Sequence, residues 1–284
     1  MPTDSPLTAK LEPAKPRHLG RRALLGLGIL GLMTVGTGAL MYSTIEPDEA
    51  FASDPDAARR QALLSKITSW SALARLDAGA APTFEPAGLL LINADAIAEL
   101  EVAAAQERLE ELQRLDAGAR RLVVAALTIS ESTKIDVLLT RGIDGVFLDA
   151  RAAMLAAQPA GAGGLSELAV SIVRLANQAR LINPDFLLVL HNASELTADP
   201  RVARVIDGAA QDNLLYGLDG VGVANGRTEV VSALHDLNRV KRSGRPVFIA
   251  ESLEVEALIA RTGARRKLAE LGFIARIAEP KRPS

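Results

Sequence analysis

The stretch Gly142-Ile143-Asp144-Gly145-Val146-Phe147-Leu148-Asp149 decides how the rest of this sequence is read. Val146, Phe147 and Leu148 form an apolar, strand-favouring run between two acids, and glycines flank the first acid. Such a run reads as a short buried strand. Asp149 then leaves from its C-terminal end, which in an α/β barrel is the end that faces the active site. An acid in this position also suits a turn or the cap of the following helix, and the stretch alone leaves both readings open.

Working outward, apolar strand-like runs recur at 71–76, 88–93, 122–129, 186–191, 208–212, 247–251 and 273–277, which with 145–149 make eight. Helical patterns stand over 57–67, 96–115, 165–181, 228–243 and 253–271. Alternating strands and helices argue for a parallel sheet, and eight strands for a closed (β/α)8 barrel of the TIM type, an α/β fold. Gly118 stands where a left-handed helix cap is usual, and Gly244 and Gly272 end later helices. Asn183-Pro184 stops the helix over 165–181, and Pro159-Ala160-Gly161-Ala162-Gly163-Gly164 ahead of it reads as a flexible loop. The barrel is assigned to 69–284, after a linker and short helix over 46–68.

Before that linker the composition changes. Residues 1–22 are polar and become basic toward Arg21 and Arg22, and residues 23–45 carry no charge. A charge-free stretch of this length can cross a bilayer core of about 30 Å, and the basic flank keeps the N-terminus cytoplasmic. Arg21-Arg22 before Ala23-Leu24-Leu25 resembles a twin-arginine export signal. A cleavage site could lie at Ala50-Phe51-Ala52, far beyond the apolar run. Two readings follow: an inner-membrane anchor with the barrel facing the periplasm, or a secreted protein if the signal is removed.

The composition excludes several functions. Cysteine is absent, so there is no disulfide framework, thiolate metal site or cysteine nucleophile. The three histidines have no metal-ligand spacing, so neither metal nor cofactor is expected. A net charge of −2, without a basic stripe in the body of the chain, gives no reason to expect nucleic acid. No nucleophile-elbow motif accompanies a Ser-His-Asp set. Aromatics are 3% of residues, which matters for any sugar cleft that stacks rings on aromatic faces.

The strand-end residues carry a family likeness. Leu127-Thr128-Ile129-Ser130-Glu131, then 142–149, then Asn183-Pro184-Asp185-Phe186 running into His191-Asn192, then Ile206-Asp207-Gly208 with Asp212 and Tyr216, then Arg245-Pro246-Val247-Phe248-Ile249-Ala250-Glu251 and Leu271-Gly272-Phe273 occur in that order. Together they resemble the endo-α-1,4-polygalactosaminidase-like glycoside hydrolases (family 114), with this chain a divergent member. That family includes proteins once labelled as related to cysteinyl-tRNA synthetase, but no nucleotide-binding or zinc motif of such an enzyme is present. The resemblance implies a TIM barrel cleaving an amino-sugar polysaccharide with paired carboxylates at its strand ends. It casts Asp149 and Asp212 as catalytic, and Glu131, Asn192, Tyr216 and Glu251 as substrate-binding. Glu131 and Glu251 also fit the first turn of a helix, and His191 a satisfied core histidine.

Three departures weigh against full activity. The segment between Glu131 and Gly142 is short where the family carries a long Trp-containing loop. Ala150-Arg151-Ala152 follows Asp149 where the family continues with a second acid. Asp212 replaces a longer Glu. Two functions are therefore carried forward: a membrane-anchored or exported glycoside hydrolase, and a catalytically degenerate barrel serving as a carbohydrate-binding or scaffolding module at the membrane.

Overall fold

The computed structural model describes residues 55–73, 88–115 and 120–278. The anchor or signal stretch over 23–45 lies outside them, and among the described residues no helix is long and apolar enough to cross a membrane.

Eight parallel strands run in chain order, each bonded to the next: β1 Trp70–Leu73, β2 Leu89–Asn93, β3 Leu122–Thr128, β4 Gly145–Asp149, β5 Leu187–His191, β6 Gly208–Asp212, β7 Val247–Ser252 and β8 Ile274–Ala278. The barrel is nearly closed, and the Trp70 indole of β1 donates to the Ile274 carbonyl of β8 at 3.0 Å. Eight parallel strands in a nearly closed barrel with helices are consistent with the expected (β/α)8 arrangement, the connection from β1 to β2 lying outside the described residues, and strand bounds fall within a few residues of the sequence reading.

The glycines of the central stretch have separate jobs. Gly142 ends the helix Ile135–Arg141 with φ 91°, a left-handed conformation. Gly145 opens β4 where an added Cβ would stand 2.3 Å from the Leu187 carbonyl oxygen, so the neighbouring strand could not approach. Asp144 between them is a hub, accepting from the Val123 amide at 2.8 Å and the Gln113 amide at 3.1 Å, and pairing with Arg120. It ties β3 to β4.

Side chains alternate along each strand. One set, including Leu90, Val123, Val146, Leu188 and Ile249, packs outward beneath the helices. The other fills the barrel, where Trp70, Phe147 and Phe248 meet with ring centroids 5.5 to 6.2 Å apart. Leu64 and Ile67 join this inner set from the N-terminal side. They belong to or follow helix α1, Pro55–Leu64, which lies across the barrel floor. Buried Arg60 of α1 donates to Asp207 at 2.8 Å, and Arg180 meets the other Asp207 oxygen at 2.7 Å. The remaining helices are α2 Ala94–Ala98, α3 Val102–Gln113, α4 Ile135–Arg141, α5 Arg151–Ala157, α6 Gly161–Ile182, α7 Pro200–Val205, α8 Arg227–Arg242 and α9 Leu258–Glu270.

Two expectations need correction. The helix read over 96–115 is two helices, α2 and α3, because the Arg141 guanidinium takes the Ala98 carbonyl at 3.0 Å and the Leu100 carbonyl at 2.8 Å, satisfying the interrupted turn. The glycine-rich run before residue 165 is not a loop: α6 begins at Gly161. Its glycines permit contact, since a Cβ at Gly164 would stand 2.5 Å from the Ala157 carbonyl oxygen at the end of α5.

Gly145→Ala should therefore cost about 1–3 kcal/mol by overpacking and lower Tm by several degrees. Gly163→Ala, where nothing lies within 4 Å, should leave Tm unchanged or raise it. Thermal unfolding of the two variants beside the parent chain measures the difference.

Candidate active site

At the C-terminal mouth the inward face changes from apolar to charged. Asp149 follows Phe147 on β4, His191 follows Val189 on β5, Asp212 follows Ala210 on β6 and Arg276 follows Ile274 on β8, each two residues on and so on the same face. In register, Asp149 stands beside His191, and Asp212 beside Ala250, which neighbours Arg276.

Asn192 joins the two acids. Its backbone is left-handed at φ 55°, a conformation asparagine tolerates better than most residues. That turn brings the side-chain amide 3.1 Å from Asp149 Oδ2 and 3.2 Å from Asp212 Oδ2, donating to both, while its own oxygen accepts from the Asp212 amide at 2.8 Å. The structure thus brings three sequence-identified residues together. Asp149 also answers the question its sequence left open: Oδ1 accepts from the Arg151 amide at 2.9 Å, as a turn residue would, and Oδ2 faces the mouth.

Hydrogen-bond donors and a guanidinium surround Asp212. His191 Nε2 lies 3.1 Å from Asp212 Oδ2, and its other nitrogen is 3.8 Å from Asp149 Oδ2. Burial alone would raise the Asp212 pKa, but the hydrogen bond and charge of His191, the Asn192 amide and the Arg276 charge outweigh it and hold the carboxyl below its ordinary range. Arg276 sits over Trp70, its guanidinium carbon 5.7 Å from the ring centroid. Burial lowers its pKa while Asp212 opposes that shift. The sequence reading missed Arg276 and set His191 aside as a core residue. The available signal was a lone arginine among the apolar residues of β8, in phase with inward Ile274.

The other three named residues are elsewhere. Glu131 lies in a short 3-10 helix, Ile129–Lys134, and closes a capping box with Thr128, accepting from its amide at 3.2 Å and its hydroxyl at 2.7 Å. The Lys134 hydrogen bond, then those from Thr128, lower its pKa to about 2. Glu251 points out of the barrel, in phase with Ile249, and is fully buried. Its oxygens accept from the Leu215 amide at 2.7 Å and the Tyr216 amide at 3.2 Å, fastening the loop that follows β6. Tyr216 is half-buried in that loop, its main chain also bridged to Ala224. Among the described residues no cluster of His, Asp and Glu side chains could hold a metal ion.

Several known proteins resemble this one. The solved glycoside hydrolase domain of PelA from Pseudomonas aeruginosa matches with a TM-score of 0.57 at 15% identity, over 76% of this chain and 95% of that one. An HpcH/Hpal aldolase/citrate lyase family protein from Burkholderia cenocepacia matches with a TM-score of 0.52 at 14% identity, over 78% and 92%. The likeness is one of fold. At such identities it establishes a shared barrel, on which a hydrolase and a lyase-family protein both stand. An uncharacterised Deinococcus radiodurans protein is 28% identical over 141 residues, which are 49% of this chain and 44% of that protein. This chain therefore matches less than half the length of that relative. No protein-family profile matches it.

Burial pushes the Glu251 pKa up to about 7, against the Leu215, Tyr216 and Leu214 amides that favour the charge, with Asp212 adding to the rise. An unfolded glutamate titrates near 4.3. Between those values the folded chain holds a proton that the unfolded chain has released, so this group makes stability fall as pH rises from about 4.3 to about 7 and level off above. Tm should decline between about pH 5 and about pH 7.5, and Glu251→Gln should show a shallower decline. Parallel slopes in calorimetry would remove this assignment.

Proposed function

We propose that this chain is an exported glycoside hydrolase-like enzyme that cleaves an amino-sugar polysaccharide of the α-1,4-galactosamine type, in the cell envelope or biofilm, through Asp149 and Asp212. The observation that carries the reading is the Asn192 amide, which holds one oxygen of each carboxyl within 3.2 Å of a single nitrogen at the barrel mouth. The shared barrel of the PelA glycoside hydrolase domain and the family likeness of the strand-end residues support it.

Glycosidic cleavage needs one carboxyl to give a proton and another to stay ionised. Asp212 suits the second role, since His191, Asn192 and Arg276 favour its charge. Asp149 then gives its proton to the glycosidic oxygen as the bond to the anomeric carbon breaks. Asp212 attacks that carbon, and a water whose proton returns to Asp149 later releases the sugar and restores both carboxyls. Two oxygens so near one nitrogen favour this double displacement over the ~6.5–9.5 Å separation that direct attack by water requires.

A non-catalytic carbohydrate-binding barrel is the second reading. It is favoured by the connection between β3 and β4, which the 3-10 helix and α4 fill without a free loop to wall a cleft.

Reducing-end release from a partially deacetylated α-1,4-galactosamine oligomer separates the two. Asp149→Asn should lower turnover at least about 100-fold, and Asp212→Glu, which gives the longer carboxyl that the family likeness implies there, should raise it. Oligomer binding with no turnover in the parent chain or in Asp212→Glu would establish the binding module instead.

For the exported location, a reporter fused after Ser284 should reach the periplasm, and Arg21→Lys with Arg22→Lys should block this if the twin-arginine route carries it. A soluble cytoplasmic fusion would overturn the location.

A further inference from the structure

Asn192 does not distinguish the two aspartates. Its amide stands 3.1 Å from Asp149 Oδ2 and 3.2 Å from Asp212 Oδ2 and donates to both. Hydrolysis by paired carboxyls nevertheless needs them in opposite states, one protonated and one ionised. Two side chains of one chemical type at one mouth reach opposite states only where their surroundings differ.

His191 is a neighbour that treats them differently. It ends β5, between the strands that carry the two acids, with 13% of its side chain exposed and its ring centroid 6.0 Å from that of Phe147. Nε2 lies 3.1 Å from Asp212 Oδ2, within hydrogen-bond reach, and Nδ1 lies 3.8 Å from Asp149 Oδ2. Among the described residues the ionisable groups beside the ring are therefore Asp149 of β4 and Asp212 of β6, while Arg276 of β8 and Glu251 of β7 bear on Asp212.

These distances fix the tautomer of the ring. Asp212 is held in its charged form, and a carboxylate only accepts hydrogen bonds, so the nitrogen 3.1 Å from it must carry a proton. In the neutral ring the other nitrogen is then bare, and that is the one nearer Asp149. A bare nitrogen accepts, and so favours Asp149 with a proton on Oδ2 over Asp149 ionised. The 3.8 Å gap is about 1 Å too long for that bond, and a turn of the Asp149 carboxyl closes it when substrate is bound, as active-site hydrogen bonds commonly tighten then.

We propose that His191 divides the roles of the two aspartates, its Nε2–H holding Asp212 as the carboxylate and its bare Nδ1 holding Asp149 as the acid. The assignment rests on the glycoside hydrolase reading and deepens it. His191 acts through the two carboxyls and is a positioning residue. When Asp149 passes its proton to the glycosidic oxygen and Asp212 bonds to the anomeric carbon, Nδ1 loses the O–H it accepted from. The water that releases the sugar returns that proton to Asp149 and restores the contact.

The test follows hydrolysis of the partially deacetylated galactosamine oligomer against pH in the full-length parent chain and two variants. His191→Phe keeps a ring and loses both nitrogens, whereas His191→Gln keeps one donor and one acceptor. Above its optimum the enzyme loses the Asp149 proton and below it Asp212 gains one, so removing the imidazole should bring the two limbs of the profile together. His191→Phe should narrow the profile by at least about one pH unit, and His191→Gln should recover part of the width. An equal loss at every pH, with the width unchanged in His191→Phe, would overturn the role and leave the hydrolase reading standing. Nitrogen NMR of the parent chain labelled at its three histidines gives a readout that needs neither turnover nor a folded variant. The neutral His191 ring should carry its proton on Nε2, and a proton on Nδ1 instead would also overturn the role. No hydrolysis by the parent chain at any pH would overturn the hydrolase reading and this role with it.

Discussion

The alternation of side chains along a strand is the constraint on which this molecule depends. Each inward position has a neighbour facing the helices, and the eight strands hold that phase around the barrel. Trp70, Phe147 and Phe248 occupy inward positions and fill the lumen. At the next inward positions toward the C-terminal end the chain places Asp149, His191, Asp212 and Arg276. A one-residue slip in β4 would exchange Phe147 with its outward neighbours and remove Asp149 from the mouth.

Two carboxylates sharing a small opening repel each other, and the chain answers with donors more than with distance. One asparagine amide serves both acids, an imidazole lies between them, and a guanidinium is retained over an indole nearby. Asn192 needs its left-handed backbone for this, and the same conformation recurs at Asn213 one strand later. Both asparagines follow a strand-end ionisable residue directly, so β5 and β6 finish alike, one turning its amide to the acids and the other its side-chain oxygen to the Ser252 amide.

The barrel was legible in the sequence because its signal is local: β-rich runs of about five residues, glycines at turns, and helices with an apolar face. Strand β4 was bounded correctly at both ends because Gly145 and Asp149 mark them. The site was legible in part. Asp149, Asp212 and Asn192 end strands and meet, but Glu251 also ends a strand and faces the other way, one position out of phase with Phe248 and Ala250. Counting back to a known inward residue would have found this and also Arg276. The Glu131 capping box was written in Thr128 and its spacing, and yielded to the family likeness. The split between α2 and α3 depends on Arg141, some forty residues away, and no local pattern announces it.

The floor helix has a consequence for how the molecule comes into being. Helix α1 is made before any strand of the barrel, yet its buried arginine meets an acid 147 residues later in the chain. On the ribosome Arg60 therefore waits while more than half of the barrel is synthesised, and the floor cannot close until the turn before β6 has formed. A contact of such long sequence separation slows folding, because loop-closure entropy is spent before the contact forms. Until then Leu89, Leu122 and Leu187 at the strand starts lack the cover of Leu64 and Ile67 and are the apolar surface a chaperone would find.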